Sequence, residues 1–74
     1  MNKSYTTSEL IDQLYTNLRF MAPQGAESQY IAGYLQHTLK DVAENGIDAL
    51  VSTVDWTNQQ TEAKRKMLEA ITNV

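Results

Sequence analysis

Cysteine is absent from this chain of 74 residues, and proline, glycine and clustered positive charge are scarce. Without cysteine, neither a disulfide bond nor a thiolate zinc site can form. With one proline and three glycines, most of the chain is free to form regular structure. A chain of this length makes at most one domain and buries only roughly 60 % of the surface that its unfolded form exposes. We therefore expect one domain of marginal stability over residues 1–74, with residues 1–4 frayed.

The charge and hydropathy patterns restrict the class of protein. Nine acids and six bases give a net charge of −3, whereas nucleic-acid-binding proteins usually carry clustered basic charge. No apolar run approaches the roughly 20 residues that are needed to span a bilayer. The first residues contain no apolar segment typical of a signal peptide. The sequence therefore predicts a cytoplasmic protein that does not associate with membranes.

The first predicted helix spans residues 6–21. Thr6 and Glu9 are spaced as a capping box, which marks a helix start. Pro23 disfavours helical geometry at Ala22 and so predicts that the helix ends by about Met21. Six residues form the apolar face of this helix: Leu10, Ile11, Leu14, Tyr15, Leu18 and Met21.

The second predicted helix, residues 27–45, has the longest uninterrupted helical periodicity of the chain. It ends at Asn45-Gly46, because glycine suits the left-handed position that follows many helices. The short connection over residues 22–26 predicts that the first two helices are antiparallel neighbours. Seven residues form the apolar face of the second helix: Tyr30, Ile31, Tyr34, Leu35, Thr38, Leu39 and Val42.

The last third of the chain allows two interpretations. The stripe that contains Val51 and Val54 would point nearly opposite to the later stripe of Ala63, Met67, Ala70 and Ile71 on one continuous helix. A break near Asp55–Thr57 resolves this conflict and predicts helices over 47–54 and 57–72. Thr57 and Gln60 then form a second capping box, and Trp56 joins the buried face of the last helix. The alternative is one continuous helix whose halves face different partners.

The predicted fold is thus all-α, a small three- to four-helix bundle. No pattern of residues indicates catalysis, a metal or a cofactor. His37 and Asp41 are one turn apart, but a site needs further ligands or a nucleophile in reach. We expect both side chains to be solvated. The acids do not pair on an apolar face, where burial would raise a pKa for acid–base chemistry. We therefore expect a protein that is not an enzyme, without a small-molecule substrate.

Gly33 is the most unusual residue of the second helix. It lies at the centre of the polar face, where a glycine costs about 1 kcal/mol relative to alanine. Neutral drift on a tolerant surface would explain it. A small notch that lets a partner approach closely would explain it as well. Four tyrosines could either rim a small core or contribute to such an interface. The candidate partner interface comprises Gly33, Ala32, Gln29, Gln36, Phe20, Tyr30 and Tyr34.

The expected function is that of a small, non-catalytic protein-interaction module that binds a protein partner or a second copy of itself. Its size would suit an accessory or inhibitor protein of a bacterium or phage. One alternative is a DNA- or RNA-binding regulator that uses the last two helices, with Asn58, Gln59, Gln60, Lys64 and Arg65 as the nearest candidates. The run Lys64-Arg65-Lys66 spreads around a helix, however, so nucleic acid is an unlikely partner. A second alternative is a structural subunit of a larger assembly.

Overall fold

The computed structural model of the protein describes residues 5–72, and all regular secondary structure in this range is helical. Helix α1 spans Thr7–Met21, α2 spans Glu27–Asn45 and α3 spans Ile47–Thr72. The predicted all-α class is confirmed, with three helices. The prediction for residues 1–4 lies outside the described residues. None of the helices between residues 5 and 72 is both long and apolar enough to cross a membrane.

Local sequence signals set the ends of α1. The predicted capping box is present: the Glu9 amide donates to Thr6 Oγ1 at 3.1 Å, and the Thr6 amide donates to Glu9 Oε1 at 2.8 Å. These bonds satisfy two amides that have no partner within the helix. At the other end, Ala22 adopts extended geometry with ψ 145°, as expected for a residue before proline.

Gly46 alone connects α2 to α3. Its amide donates to the Val42 carbonyl at 2.8 Å, and its carbonyl accepts from the Ala49 amide at 3.0 Å. The residue therefore closes one helix and opens the next. Its backbone angles, φ 86° and ψ −176°, lie in a region that is essentially accessible only to glycine. This one-residue corner holds the end of α2 next to the start of α3.

Helix α3 runs without interruption over 26 residues. The predicted break at Asp55–Thr57, with separate helices over 47–54 and 57–72, is therefore wrong. Thr57 does not cap a new helix but is fully buried in the middle of α3. No glycine or proline follows Gly46 to interrupt the helix.

Buried threonines explain why the argument from phase failed. The buried residues of α3 are Leu50, Val54, Thr57 and Thr61, which fall on one side of a continuous helix at intervals of three and four. The hydroxyl of Thr57 lies 3.0 Å from the carbonyl oxygens of Thr53 and Val54. Because such bonds satisfy the hydroxyl within its own helix, a threonine can occupy the core face. The argument from phase counted apolar side chains only.

The apolar stripe of the second half of α3 is consequently exposed. Trp56, which was expected on a buried face, has 47 % of its surface exposed. Ala63, Met67, Ala70 and Ile71 are exposed as well. The expectation that these residues pack into the bundle is wrong, because Thr57 and Thr61 lie on the side of α3 that faces the core.

The core is small and draws on all three helices. Six buried aliphatic side chains form it: Leu10, Leu14, Leu18, Ile31, Leu50 and Val54. The half-buried side chains of Tyr30, Tyr34, Leu35 and Val42 pack against this cluster. Helix α3 packs against both α1 and α2 and so holds the bundle together.

A polar network joins α1 to α3 beside this core. The side chain of Asn17 is buried, and its Nδ2 donates to Thr57 Oγ1 at 3.1 Å and to Asn58 Oδ1 at 2.7 Å. Asn58 in turn donates to Gln13 Oε1 at 2.9 Å. These bonds can form only when α1 and α3 are correctly aligned along their axes, so the network fixes the register of the two helices.

Gly33, within α2, and Gly46, between α2 and α3, predict opposite effects of substitution by alanine. We expect Gly46→Ala to lower the free energy of unfolding by about 1–3 kcal/mol, because a side chain disfavours the angles of the corner. Gly33→Ala should raise it by about 1 kcal/mol, since alanine stabilises a helix interior and the added Cβ meets no atom within 4 Å. Urea denaturation of both variants measures the difference. Equal effects would contradict the conformational role of Gly46.

The network predicts a cost for removing its central amide. We expect Asn17→Ala to lower the free energy of unfolding by about 1–3 kcal/mol, because two hydrogen bonds are lost and a small cavity forms. Thr16→Ala is the matched control, since Thr16 is an exposed neighbour on α1. Urea denaturation of the two variants is the measurement. An Asn17→Ala protein as stable as the control would show that the network does not stabilise the fold.

Candidate binding groove

An apolar groove lies where the start of α1, the end of α2 and the start of α3 meet. Its volume is about 340 Å³. The groove is lined by Thr7, Ile11, Leu14, Leu35, Thr38, Leu39, Val42, Ile47 and Leu50. Every lining residue is therefore aliphatic or threonine. The location follows from the Gly46 corner, which places Val42 and Ile47 side by side.

The groove has a buried floor and an exposed rim. Leu14, Thr38 and Leu50 are buried and belong to the floor. Ile11 and Ile47 are about half exposed, and Leu39 has 67 % of its surface exposed. Single exposed apolar residues are common on proteins, but a contiguous apolar patch typically marks an interaction site. The rim residues line one groove and thus form such a patch.

The lining offers apolar contact and little else. The hydroxyl of Thr38 already donates to the Tyr34 carbonyl at 2.9 Å, so it is not free to direct a polar ligand. No lining residue is titratable. The arrangement is suited to holding aliphatic side chains out of water.

Acidic residues lie on the same helical turns as the groove residues but on other faces of the helices, since Glu9 and Asp12 line one separate depression and Asp41 lines another. Five acids and one lysine occupy the adjoining turns: Glu9, Asp12, Asp41, Glu44, Asp48 and Lys40. All of them are exposed or half-buried. The end of the molecule that contains the groove is therefore acidic as a whole, which favours the approach of a positively charged partner.

The predicted interface around Gly33 lies on a different part of α2. Gly33 and Gln36 line a shallow depression of about 290 Å³ together with His37 and Lys40. Ala32 and Gln29 are exposed on the same helix. The backbone of Gly33 is accessible, as the predicted notch requires, but the depression offers mainly polar contacts.

The aromatic members of the predicted interface are located elsewhere. Tyr30 and Tyr34 are half-buried against the core with ring centroids 5.9 Å apart, and Tyr34 stacks on Trp56 at 6.3 Å. The Phe20 ring lies 4.9 Å from Lys64 Nζ, which also donates to the Phe20 carbonyl at 2.6 Å. The seven predicted residues therefore fall into separate places: the outer face of α2, the side of α2 next to α3, and the end of α1.

The remaining candidate side chains are engaged within the chain. His37 Nε2 lies 3.9 Å from Asp41 Oδ2 on an exposed surface. Arg65 donates to Glu62 at 2.7 Å, and Asn58 belongs to the network with Asn17. Among residues 5–72, no three histidine, aspartate or glutamate side chains are grouped so that they could hold a metal ion.

Sequence reasoning missed the groove because it assigned Leu39 to the core-facing stripe of α2. One available signal was the density of large aliphatic residues on both sides of Gly46: Leu39, Val42, Ile47, Leu50 and Val51. A one-residue corner turns the chain sharply, so that these side chains cannot all face one core.

Comparisons with models of known protein families, with curated proteins and with solved structures find no match to this chain.

Tyr34 gives the stability of the fold a measurable pH dependence. Burial raises the pKa of the Tyr34 hydroxyl above its usual value of 10.0, and the nearby Tyr30 raises it further. The unfolded chain therefore releases this proton at a lower pH than the folded chain does. We expect the stabilising contribution to be complete below pH 10.0 and to be lost as the pH rises toward the pKa of the folded state.

The decrease in the free energy of unfolding at high pH should be smaller in Tyr34→Phe, because phenylalanine has no hydroxyl proton to release. Urea denaturation in steps of pH from about 9 upward measures it. Tyr15→Phe, which changes an exposed tyrosine, controls for the loss of one phenol. Identical pH dependence in Tyr34→Phe and the unmodified protein would contradict the assignment.

Proposed function

We propose that the protein is a small, non-catalytic interaction module that binds an apolar helical segment of a protein in the groove between its three helices. The observation that carries this proposal is the continuous aliphatic lining with its exposed rim, above all Leu39 at 67 % exposure. Covering such a patch removes apolar surface from water, which is the main favourable contribution to most protein association.

The shape of the molecule supports an interaction role. Its extents are 44 × 33 × 17 Å and its radius of gyration is 13.7 Å, against roughly 11 Å for a compact domain of this length. Because the molecule is only 17 Å thick along its shortest axis, each helix is covered by its neighbours on few sides. As a result, several large apolar side chains of residues 5–72 have no room in the core. An interaction module has a use for such side chains, whereas an isolated monomer does not.

A helical occupant suits the apolar lining of the groove. An aliphatic ridge of two or three residues at intervals of three and four fills this kind of groove in helix-in-groove recognition. The lining offers no row of free backbone amides, since it lies on three helices whose backbone groups bond internally. An added β-strand would therefore lack partners for its own backbone.

The nucleic-acid alternative has weaker support. Asn58 and Arg65 are occupied by partners within the chain, and Lys64 caps the end of α1. A role as a subunit of a larger assembly would use the same groove and is compatible with the proposal. The expected setting stays that of a cytoplasmic accessory or inhibitor protein, which requires no cofactor and no small-molecule substrate.

Site-specific photo-cross-linking tests the proposal. A photoreactive phenylalanine analogue replaces Leu39 in the full chain in its native cells, and the adducts are identified by mass. We expect protein adducts from position 39, because this side chain lies on the rim of the groove. Replacement of Gln36 is the matched control, since it is exposed on the same helix but lies in the Gly33 depression.

The absence of adducts from position 39 would contradict the proposed function. Adducts from position 36 alone would instead favour the surface around Gly33. The mass of an adduct also separates the two kinds of occupant, because a second copy adds a further 8.4 kDa.

A further inference from the structure

The last two turns of α3 project beyond the rest of the bundle. Thr61 is the last buried residue of this helix, and the half-buried Lys64 bonds to the end of α1. All residues from 65 to 72 are exposed. Among them, Met67, Leu68 and Ile71 form an apolar ridge at helical spacing, called the α3 ridge here. Met67 and Ile71 have 64 % and 66 % of their surface exposed.

One residue of the α3 ridge, Leu68, lies on the core-facing side of the helix, and Ile71 and Met67 lie about 60° and about 100° to one side of it. Leu50 and Leu68 are 18 residues apart, which is five whole turns at 3.6 residues per turn. Leu68 therefore points to the same side of α3 as Leu50, which forms part of the groove floor. The difference between the two positions is that α1 and α2 cover the helix at Leu50 and have ended before Leu68.

The groove and the α3 ridge of one chain cannot meet. Eighteen residues of a rigid helix separate their levels by about 27 Å. A groove of aliphatic residues and a ridge of aliphatic residues are thus held apart at the two ends of the same molecule. Within residues 5–72, no segment of the chain covers either of them.

We propose that the occupant of the groove is the α3 ridge of a second copy of this chain. This inference rests on the proposed function of the groove. Two copies lie antiparallel, and each places its ridge in the groove of the other. Because the spacing between groove and ridge is the same in both copies, the two contacts form together, as a two-fold symmetric dimer requires.

Charge favours this pairing. The turns around the groove carry five acids and one lysine, as described above. The turns around the α3 ridge carry three bases and two acids: Lys64, Arg65, Lys66, Glu62 and Glu69. The antiparallel arrangement brings the acidic end of each copy to the basic end of the other, whereas a parallel arrangement would bring like ends together.

The exposed area is sufficient for a dimer. The chain exposes 5495 Å², against roughly 4,600 Å² for a compact monomer of its mass. This excess of about 900 Å² belongs to the whole chain, and Leu39, Met67 and Ile71 contribute to it with 67 %, 64 % and 66 % of their surface exposed; a stable interface buries roughly 800 Å² of each partner. A dimer of this kind would give the small core the additional buried apolar surface that the isolated chain lacks.

Sedimentation equilibrium of the full-length protein over a range of concentrations provides the first test. We expect a dimer of twice 8.4 kDa. Leu39→Glu in the groove and Ile71→Glu on the ridge should each weaken it about tenfold or more, because a carboxylate would enter an apolar contact. Gln36→Glu adds the same charge outside both surfaces and should leave the dimer intact. Both apolar targets are exposed, so neither change disturbs the core.

Mixing the Leu39→Glu and Ile71→Glu variants distinguishes this dimer from a dimer that forms through a different surface. A Leu39→Glu chain keeps its ridge and an Ile71→Glu chain keeps its groove, so a mixed dimer retains one intact contact of two. We expect the mixture to dimerise more strongly than either variant alone. A dimer through any other surface would not show this recovery.

Cysteine pairs test the contact directly, since the chain contains no cysteine of its own. An equimolar mixture of Leu39→Cys and Ile71→Cys should form a mixed disulfide under mild oxidation, while Gln36→Cys with Ile71→Cys should not. A monomer at all concentrations, or a dimer insensitive to both glutamate substitutions, would overturn the proposal. The proposed function would then still stand if position 39 cross-links to a different protein, and it would fail with the dimer only if position 39 forms no adduct.

Discussion

Burial of Thr57 against Asn17 is the contact on which the rest of the structure depends. The hydroxyl is satisfied by carbonyls of its own helix and also accepts from the Asn17 amide. Because the Thr57 hydroxyl can be buried at little cost, residues 50, 54, 57 and 61 form one continuous core-facing side of α3. A continuous α3 follows, and this helix is the element that both α1 and α2 pack against.

A long α3 beside two shorter helices leaves apolar surface at both ends of the molecule. At the beginning of α3, the Gly46 corner crowds aliphatic side chains of two helices together, and some of them line an open groove. At the other end, α3 extends past the bundle and exposes Met67, Leu68 and Ile71. Both features leave apolar side chains exposed because the core is too small to cover all the apolar residues of the three helices.

Elements with local causes could be predicted from the sequence, and elements with distant causes could not. The start of α1 depends on residues three apart, and the end of α2 depends on one glycine, so both were found within a residue. The predicted break at Asp55–Thr57 is wrong because Thr57 was expected to cap a new helix and is instead buried in the middle of α3. Its burial depends on Asn17, which is 40 residues away in the sequence. The candidate interface around Gly33 stays a prediction, and the groove was missed because Leu39 was assigned to the core.

The sequence by itself determined the helical class, the start of α1 and the one-residue corner at Gly46, since capping hydrogen bonds and backbone sterics act over a few residues. Only the tertiary structure decided which apolar stripes are buried. Amphipathic periodicity shows that a helix has an apolar side, but the extent of cover depends on the lengths and positions of the neighbouring helices. For that reason Leu14 and Leu50 lie in the core, while Leu39, Met67 and Ile71 remain available for association.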